Sequence, residues 1–242
     1  MIRLLTPTLF LLLFSFGLAV KAAADTEYLV VSGGPAVRQF EDLRRPGEQH
    51  DRWWGNFIRT ARVRMQEIHN SAAPGTRITW LVYRDAYVRR GAAEHQPLTQ
   101  NVESVPKAYP YINLVWFRST DELIHYINHG GPAGRSNLKI SGFEYFGHSN
   151  KFSFMFDYSS ETYATSTAWL HEHDLHKLSR WAFSSKAYCQ SWGCHTAESF
   201  SKAWKRATGT FMVGAQGKTD YSDMHLRDWH VGLSTGARWV KR

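Results

Sequence analysis

Phe143-Glu-Tyr-Phe-Gly-His148-Ser149 is a mostly apolar run that stops abruptly on a histidine. Forty-six residues beyond that histidine, Ser191-Trp-Gly-Cys194-His-Thr196 ends a second such run on a cysteine. Short apolar runs bounded by turn residues are the signature of strands buried on both faces of a sheet. Both stretches therefore read as strands, each delivering one reactive side chain at its C-terminal end.

Working outward, similar runs at 28–31, 78–83, 112–117, 138–146, 186–193 and 210–215 predict six strands. Between them, Trp54, Phe57, Ile58, Ala61, Met65 and Ile68 recur at helical spacing and predict a helix over 53–69. Ser119 or Thr120 caps a helix running to about 128, with Asp121 and Glu122 in its first turn. Further helices are expected from 165–167 to about 183 and over 198–207, whereas 36–51 and 84–110 read as loops. Strands alternating with helices predict an α/β three-layer sandwich, a mostly parallel six-stranded sheet with helices on both faces. The segment 221–242, with Trp229, Val231, Leu233 and Trp239, is expected at the sheet edge.

The N-terminus has a different character. Arg3, an apolar stretch over 4–20 and Ala22-Ala23-Ala24 predict a secretory signal peptide over 1–24, leaving 25–242 as one α/β domain. The expected location is secreted or periplasmic, with no stable membrane insertion after cleavage. The formal charge is +8, part of it from Arg3 and Lys21 in the leader, and no run of five basic residues occurs. That pattern excludes a nucleic-acid footprint. Aromatic residues make up 14% of the chain, which excludes a disordered one.

Export makes a disulfide between Cys189 and Cys194 the first expectation, but strand geometry opposes it. Five residues of strand separate the two Cα atoms by about 16 Å, far beyond the 4.4–6.8 Å of a bridge. Cys194 at the strand end is the candidate nucleophile, and Cys189, within the strand, is the rival. His148 supplies the base that a thiol nucleophile needs, and a helix starting just after Cys194 would add positive potential. His171, His173 and His176 offer a weaker metal-site alternative, of which only His173 and His176 share a helical face. Gly214-Ala-Gln-Gly-Lys218-Thr219 has two residues between its glycines where a phosphate-binding loop needs four, so it is rejected.

The motifs Phe-Gly-His148-Ser149 and Trp-Gly-Cys194-His-Thr196 resemble, in order and spacing, those of clan CD cysteine peptidases, the caspase, gingipain and clostripain group. Val31-Ser32-Gly33-Gly34 and His50-Asp51-Arg-Trp-Trp-Gly-Asn56-Phe are similar to the opening of some bacterial members. The resemblance implies a caspase-like fold and an exported peptidase acting on peptide or protein substrates without cofactor or metal. It makes Cys194 the nucleophile, His148 the general base or acid, and the N–H groups of Ser149 and Cys194 the oxyanion hole. Ser149 stands where that group usually has glycine. Asp220, or else Asp223, would select a basic side chain in the substrate. The alternative is a catalytically inactive caspase-like domain that serves as a binding module.

Overall fold

A computed structural model describes residues 26–242 except 37, 44, 47, 48, 50, 133, 136, 137 and 159–167. The expected signal peptide, His50 and the expected helix start at 165–167 lie outside the described residues.

Strand β1 (Thr26–Ser32) sits at the middle of the main sheet, flanked by β2 (Arg77–Tyr83) on one side and β4 (Lys139–Phe146) on the other. Beyond β2 lies β3 (Ile112–Phe117), and beyond β4 come β8 (Phe183–Ser191), β9 (Met212–Gln216) and β12 (Arg238–Lys241). Within this sheet all pairings are parallel except β9 with β12. The sheet therefore has seven strands, not six. The added one is β12, from the segment expected at the edge, and Trp239 pairs with Ala215 there; β10 (Thr219–Asp220) and β11 (Gly232–Leu233) form a separate antiparallel pair.

Alternation along the strands builds a core on each face. Leu29, Val31, Leu81, Tyr83, Phe143 and Tyr145 face α5 (Thr120–His129) and α6 (Phe200–Thr208). Tyr28, Val30, Ile78, Trp80 and Val82 face α2 (Gly55–Ser71), whose Phe57, Ala61, Met65 and Ile68 form the apolar stripe read from the sequence. Two apolar layers against one sheet account for the α/β sandwich. The Ser119 hydroxyl accepts the Glu122 N–H at 3.1 Å, so the expected cap of α5 is present.

The loops expected over 36–51 and 84–110 hold helices: α1 (Arg38–Leu43), α3 (Arg84–Glu94) and α4 (Leu98–Ala108). Their apolar periodicity is thin. Of α4 only Val102 is fully buried, and Pro106 lies in its last turn. Helix α3 ends on His95 in the left-handed conformation, which turns the chain into α4. The helix expected up to residue 183 is instead β7 (Ala168–His171) followed by two short 3-10 turns, Glu172–Lys177 and Arg180–Ala182. Strand β7 completes a small antiparallel sheet with β5 (His148–Ser149) and β6 (Ser153–Asp157), which the sequence reading missed. Its hairpin turns on Asn150, whose side-chain oxygen accepts the N–H groups of Phe152 at 2.8 Å and Ser153 at 3.0 Å.

Two carboxylates of the main sheet are fully buried, Glu27 of β1, held by Arg135 Nη1 at 2.7 Å, and Glu144 of β4. Glu144 accepts hydrogen bonds from Tyr28 Oη at 2.5 Å, Arg64 Nε at 2.9 Å and Trp192 Nε1 at 2.7 Å. It thereby ties β4 to α2 and to the turn that leads into Cys194. Among the described residues no helix is long and apolar enough to cross a membrane.

Candidate active site

Strand order reverses direction in the chain at β1 and β4, and in open α/β sheets ligands gather beyond the carboxyl ends of the strands at such a point. His148 follows β4 there. The Gly33 N–H donates to Phe146 O at 2.9 Å and the Gly34 N–H to Phe156 O at 2.7 Å, so Ser32-Gly33-Gly34 lies directly against the histidine turn. The Tyr145 hydroxyl reaches up between these segments, 2.7 Å from His148 O and 3.0 Å from Met155 O. A Cβ on Gly33 would meet that hydroxyl at 2.8 Å and one on Gly147 at 2.6 Å. Gly147 also has φ +154°, a backbone region that favours glycine.

The histidine has a partner that the sequence reading did not assign. His148 Nε2 lies 3.1 Å from Asp51 Oδ1, and Asp51 is 1% exposed. The Ala36 N–H donates to the same oxygen at 2.9 Å, and Arg90 Nη1 of α3 holds Oδ2 at 2.6 Å. Asp51 is thus a desolvated carboxylate kept by a guanidinium and hydrogen bonds, the condition under which a buried charge is tolerated. With Nε2 donating to Asp51, Nδ1 is the free basic nitrogen, and no partner occupies it among the described residues. Phe57 packs edge-on to the ring at 5.0 Å and Tyr158 lies at 5.5 Å from it. The signal in the sequence was the pair His50-Asp51, quoted there only as part of a resemblance.

Cys194 lies three residues beyond the end of β8 and is partly exposed, with a free thiol. Thr219 contributes both its N–H and its hydroxyl at 3.4 Å from Sγ. The helix expected just after the cysteine begins at Phe200, six residues on, with turns over 195–199 between them. Cys189 is also free, sits inside the sheet opposite Phe143 and Met212, and is 1% exposed. Burial pushes its thiol up to about 11. It has no path to a substrate.

Ser149 and Gly193 fit each other. Ser149 Oγ donates to Cys194 O at 2.7 Å, and a Cβ on Gly193 would stand 2.1 Å from that oxygen. The serine side chain thus laces the histidine turn to the cysteine turn, a bond that a glycine could not make. Asn150 N donates to Ser153 O across the hairpin. By the alternation of an antiparallel ladder, Ser149 is then a non-hydrogen-bonded position whose N–H points away from β6.

His148, Ser149 and Cys194 line one cavity of about 440 Å³, walled by Trp53, Phe57, Met155, Tyr158 and Tyr221. Tyr221 joins the two sides: its hydroxyl bonds Trp192 O at 3.1 Å, and its carbonyl accepts Asn56 Nδ2 at 2.7 Å. Asp220 lines the same cavity, but its charge is engaged. Oδ1 accepts Ser222 N and Oγ at 2.8 and 2.6 Å, and Oδ2 accepts Arg227 Nη1 at 3.1 Å. Partial burial raises its carboxyl, yet the bonds from Ser222 and the Arg227 charge outweigh that and hold it below the usual range. Asp223 does not line the cavity; it precedes the 3-10 turn Met224–Arg227 in a left-handed conformation.

Among the described residues no group of three or more His, Cys, Asp or Glu is placed to hold a metal. His173 and His176 lie in a 3-10 turn, where His176 Nδ1 is 2.5 Å from His173 O. Comparison with protein-family models, curated proteins and solved structures returns no match.

Proposed function

We propose that the chain is an exported, caspase-like cysteine peptidase working through Cys194 and His148, with Asp51 orienting the histidine. The observation that carries this reading is one cavity holding a free, partly exposed thiol and a histidine whose far nitrogen is bound to a buried aspartate. This is the nucleophile, base and orienting-group logic of acyl transfer.

In the first step His148 Nδ1 takes the thiol proton as sulfur adds to the peptide carbonyl carbon. The carbonyl oxygen becomes an oxyanion, received by the N–H groups of Ser149 and Cys194. Collapse of the adduct breaks the C–N bond, and the amine leaves with the proton from His148. A water molecule then gives its proton to Nδ1, attacks the thioester, and releases the carboxylate product and the thiol. Asp51 stabilises the imidazolium in both steps without taking the proton. Each oxyanion donor contributes about 100–1000-fold in rate.

No hydrogen bond joins His148 to Cys194 among the described residues, which favours a second reading, an inert domain that binds peptides in the same cavity. A thiol-directed peptidyl acyl probe separates the two. The peptidase reading expects wild-type protein to be acylated at Cys194 and to cleave members of a peptide library. It expects both signals to vanish in Cys194→Ala and to collapse in His148→Ala. Labelling that survives both substitutions, or a library left intact by the wild type, overturns it.

A further inference from the structure

We infer that the cavity admits a carboxylate-bearing segment and that Lys218 is its counter-charge. This rests on the site proposed above and reverses the basic selectivity expected from Asp220. The charged or titratable histidine, lysine and carboxylate side chains that line the cavity are His148, His195, Lys218 and Asp220. His148 is engaged by Asp51 at 3.1 Å. His195 Nδ1 is engaged by Glu198 Oε1 at 2.6 Å. Asp220 is engaged by Arg227 at 3.1 Å, and Arg227 itself does not line the cavity. Lys218 lines it and has no carboxylate partner among the described residues.

Lys218 is exposed, but its backbone is fixed on both sides. Gly217 O accepts the His195 N–H at 2.7 Å, Lys218 O accepts the Ser234 N–H at 3.0 Å, and the following Thr219 N–H donates to Cys194 Sγ. The ammonium is therefore carried on the loop that holds the nucleophile. Among the described residues, a lysine or arginine entering the cavity meets a like charge and no free carboxylate. An aspartate, a glutamate or a chain-terminal carboxylate meets an unpaired cation.

The sign of the field at Cys194 is measurable without catalysis. Cys194 is treated with anionic 2-sulfonatoethyl and cationic 2-(trimethylammonio)ethyl methanethiosulfonate, and the rates are followed by intact mass, with Cys194→Ala as the blank. Relative to Lys218→Met, the anionic-to-cationic rate ratio in the wild type should be about two- to fivefold higher, the range of one exposed charge pair. It should fall below that of Lys218→Met in Lys218→Glu, fall in Arg227→Met as Asp220 is freed, and shrink in high salt. Equal ratios in the wild type and both Lys218 variants overturn the inference.

A second arm uses end-blocked peptides carrying a single Glu, Gln or Lys, beside matched uncharged peptides with a free C-terminus. Preferred cleavage of the Glu peptides identifies a side-chain carboxylate. Preference confined to free C-termini identifies a terminal one. Preferred cleavage of the Lys peptides overturns the inference and leaves the peptidase reading standing. If no peptide is cleaved while the rate ratio behaves as stated, the peptidase reading falls and the anion-selective cavity remains.

Discussion

At the scale of single residues, the site depends on a few close approaches. Asp51 Oδ1 lies 3.1 Å from His148 Nε2, so Asp51→Asn keeps the shape and loses the charge that stabilises the imidazolium in the proposed mechanism. By the behaviour of comparable orienting carboxylates, kcat/KM should fall about 10²–10⁴-fold. Losing that charge also leaves buried Arg90 with Glu94 as its one carboxylate partner among the described residues, so a denaturant midpoint measured alongside should fall as well. At Gly193 an added methyl would meet Ser149 Cβ at 2.8 Å and Gly147 O at 3.1 Å, as well as Ser149 Oγ. Gly193→Ala should cost about 1–3 kcal/mol by overpacking, read from urea unfolding. Gly193→Ala combined with Ser149→Gly should recover part of that cost. These residues were unequally legible in the sequence. His148 and Cys194 stood out because each interrupts an apolar run. The role of Asp51 did not, because its ties run to Ala36, Arg90 and His148, contacts that no local spacing encodes.

At the scale of elements, strands with unbroken apolar runs and the stripe on α2 were readable because burial dictates their composition. Helices α3 and α4 were not, since few of their residues face the core. The small sheet β5–β6–β7 was also missed. Strand β5 spans only His148–Ser149, and β7 lies inside the stretch up to residue 183 that reads as helical from sequence. That small sheet still sets the height of the histidine, because the Tyr145 hydroxyl bridges toward both His148 O and Met155 O. Tyr145→Phe leaves the ring stacking on Phe154 at 4.0 Å and removes only the bridge. It should lower stability by about 1–2 kcal/mol, the loss of one buried hydrogen bond. A drop in kcat with KM unchanged would place the loss in the positioning of His148 rather than in substrate binding.

At the scale of the whole molecule, two free thiols with different surroundings serve as internal probes of the fold and of the site. Cys189, raised from 9.0 to about 11, favours the neutral thiol in the folded state. An acid whose folded value is raised contributes its full share of stability below the unfolded value and loses it as pH rises through the folded one. Wild type should therefore lose stability between about pH 9 and 11 more steeply than Cys189→Ala, as read from denaturant midpoints. Cys194, partly exposed in the cavity that His148 also lines, reports on the proposed pair itself. The measurement is the rate of alkylation of each cysteine by neutral iodoacetamide at pH 7, followed by mass spectrometry in wild type and His148→Ala. Cys194 should react while Cys189 stays unmodified, and His148→Ala should slow Cys194 by about tenfold or more. A Cys194 rate unchanged by the loss of His148 would contradict the proposed pair.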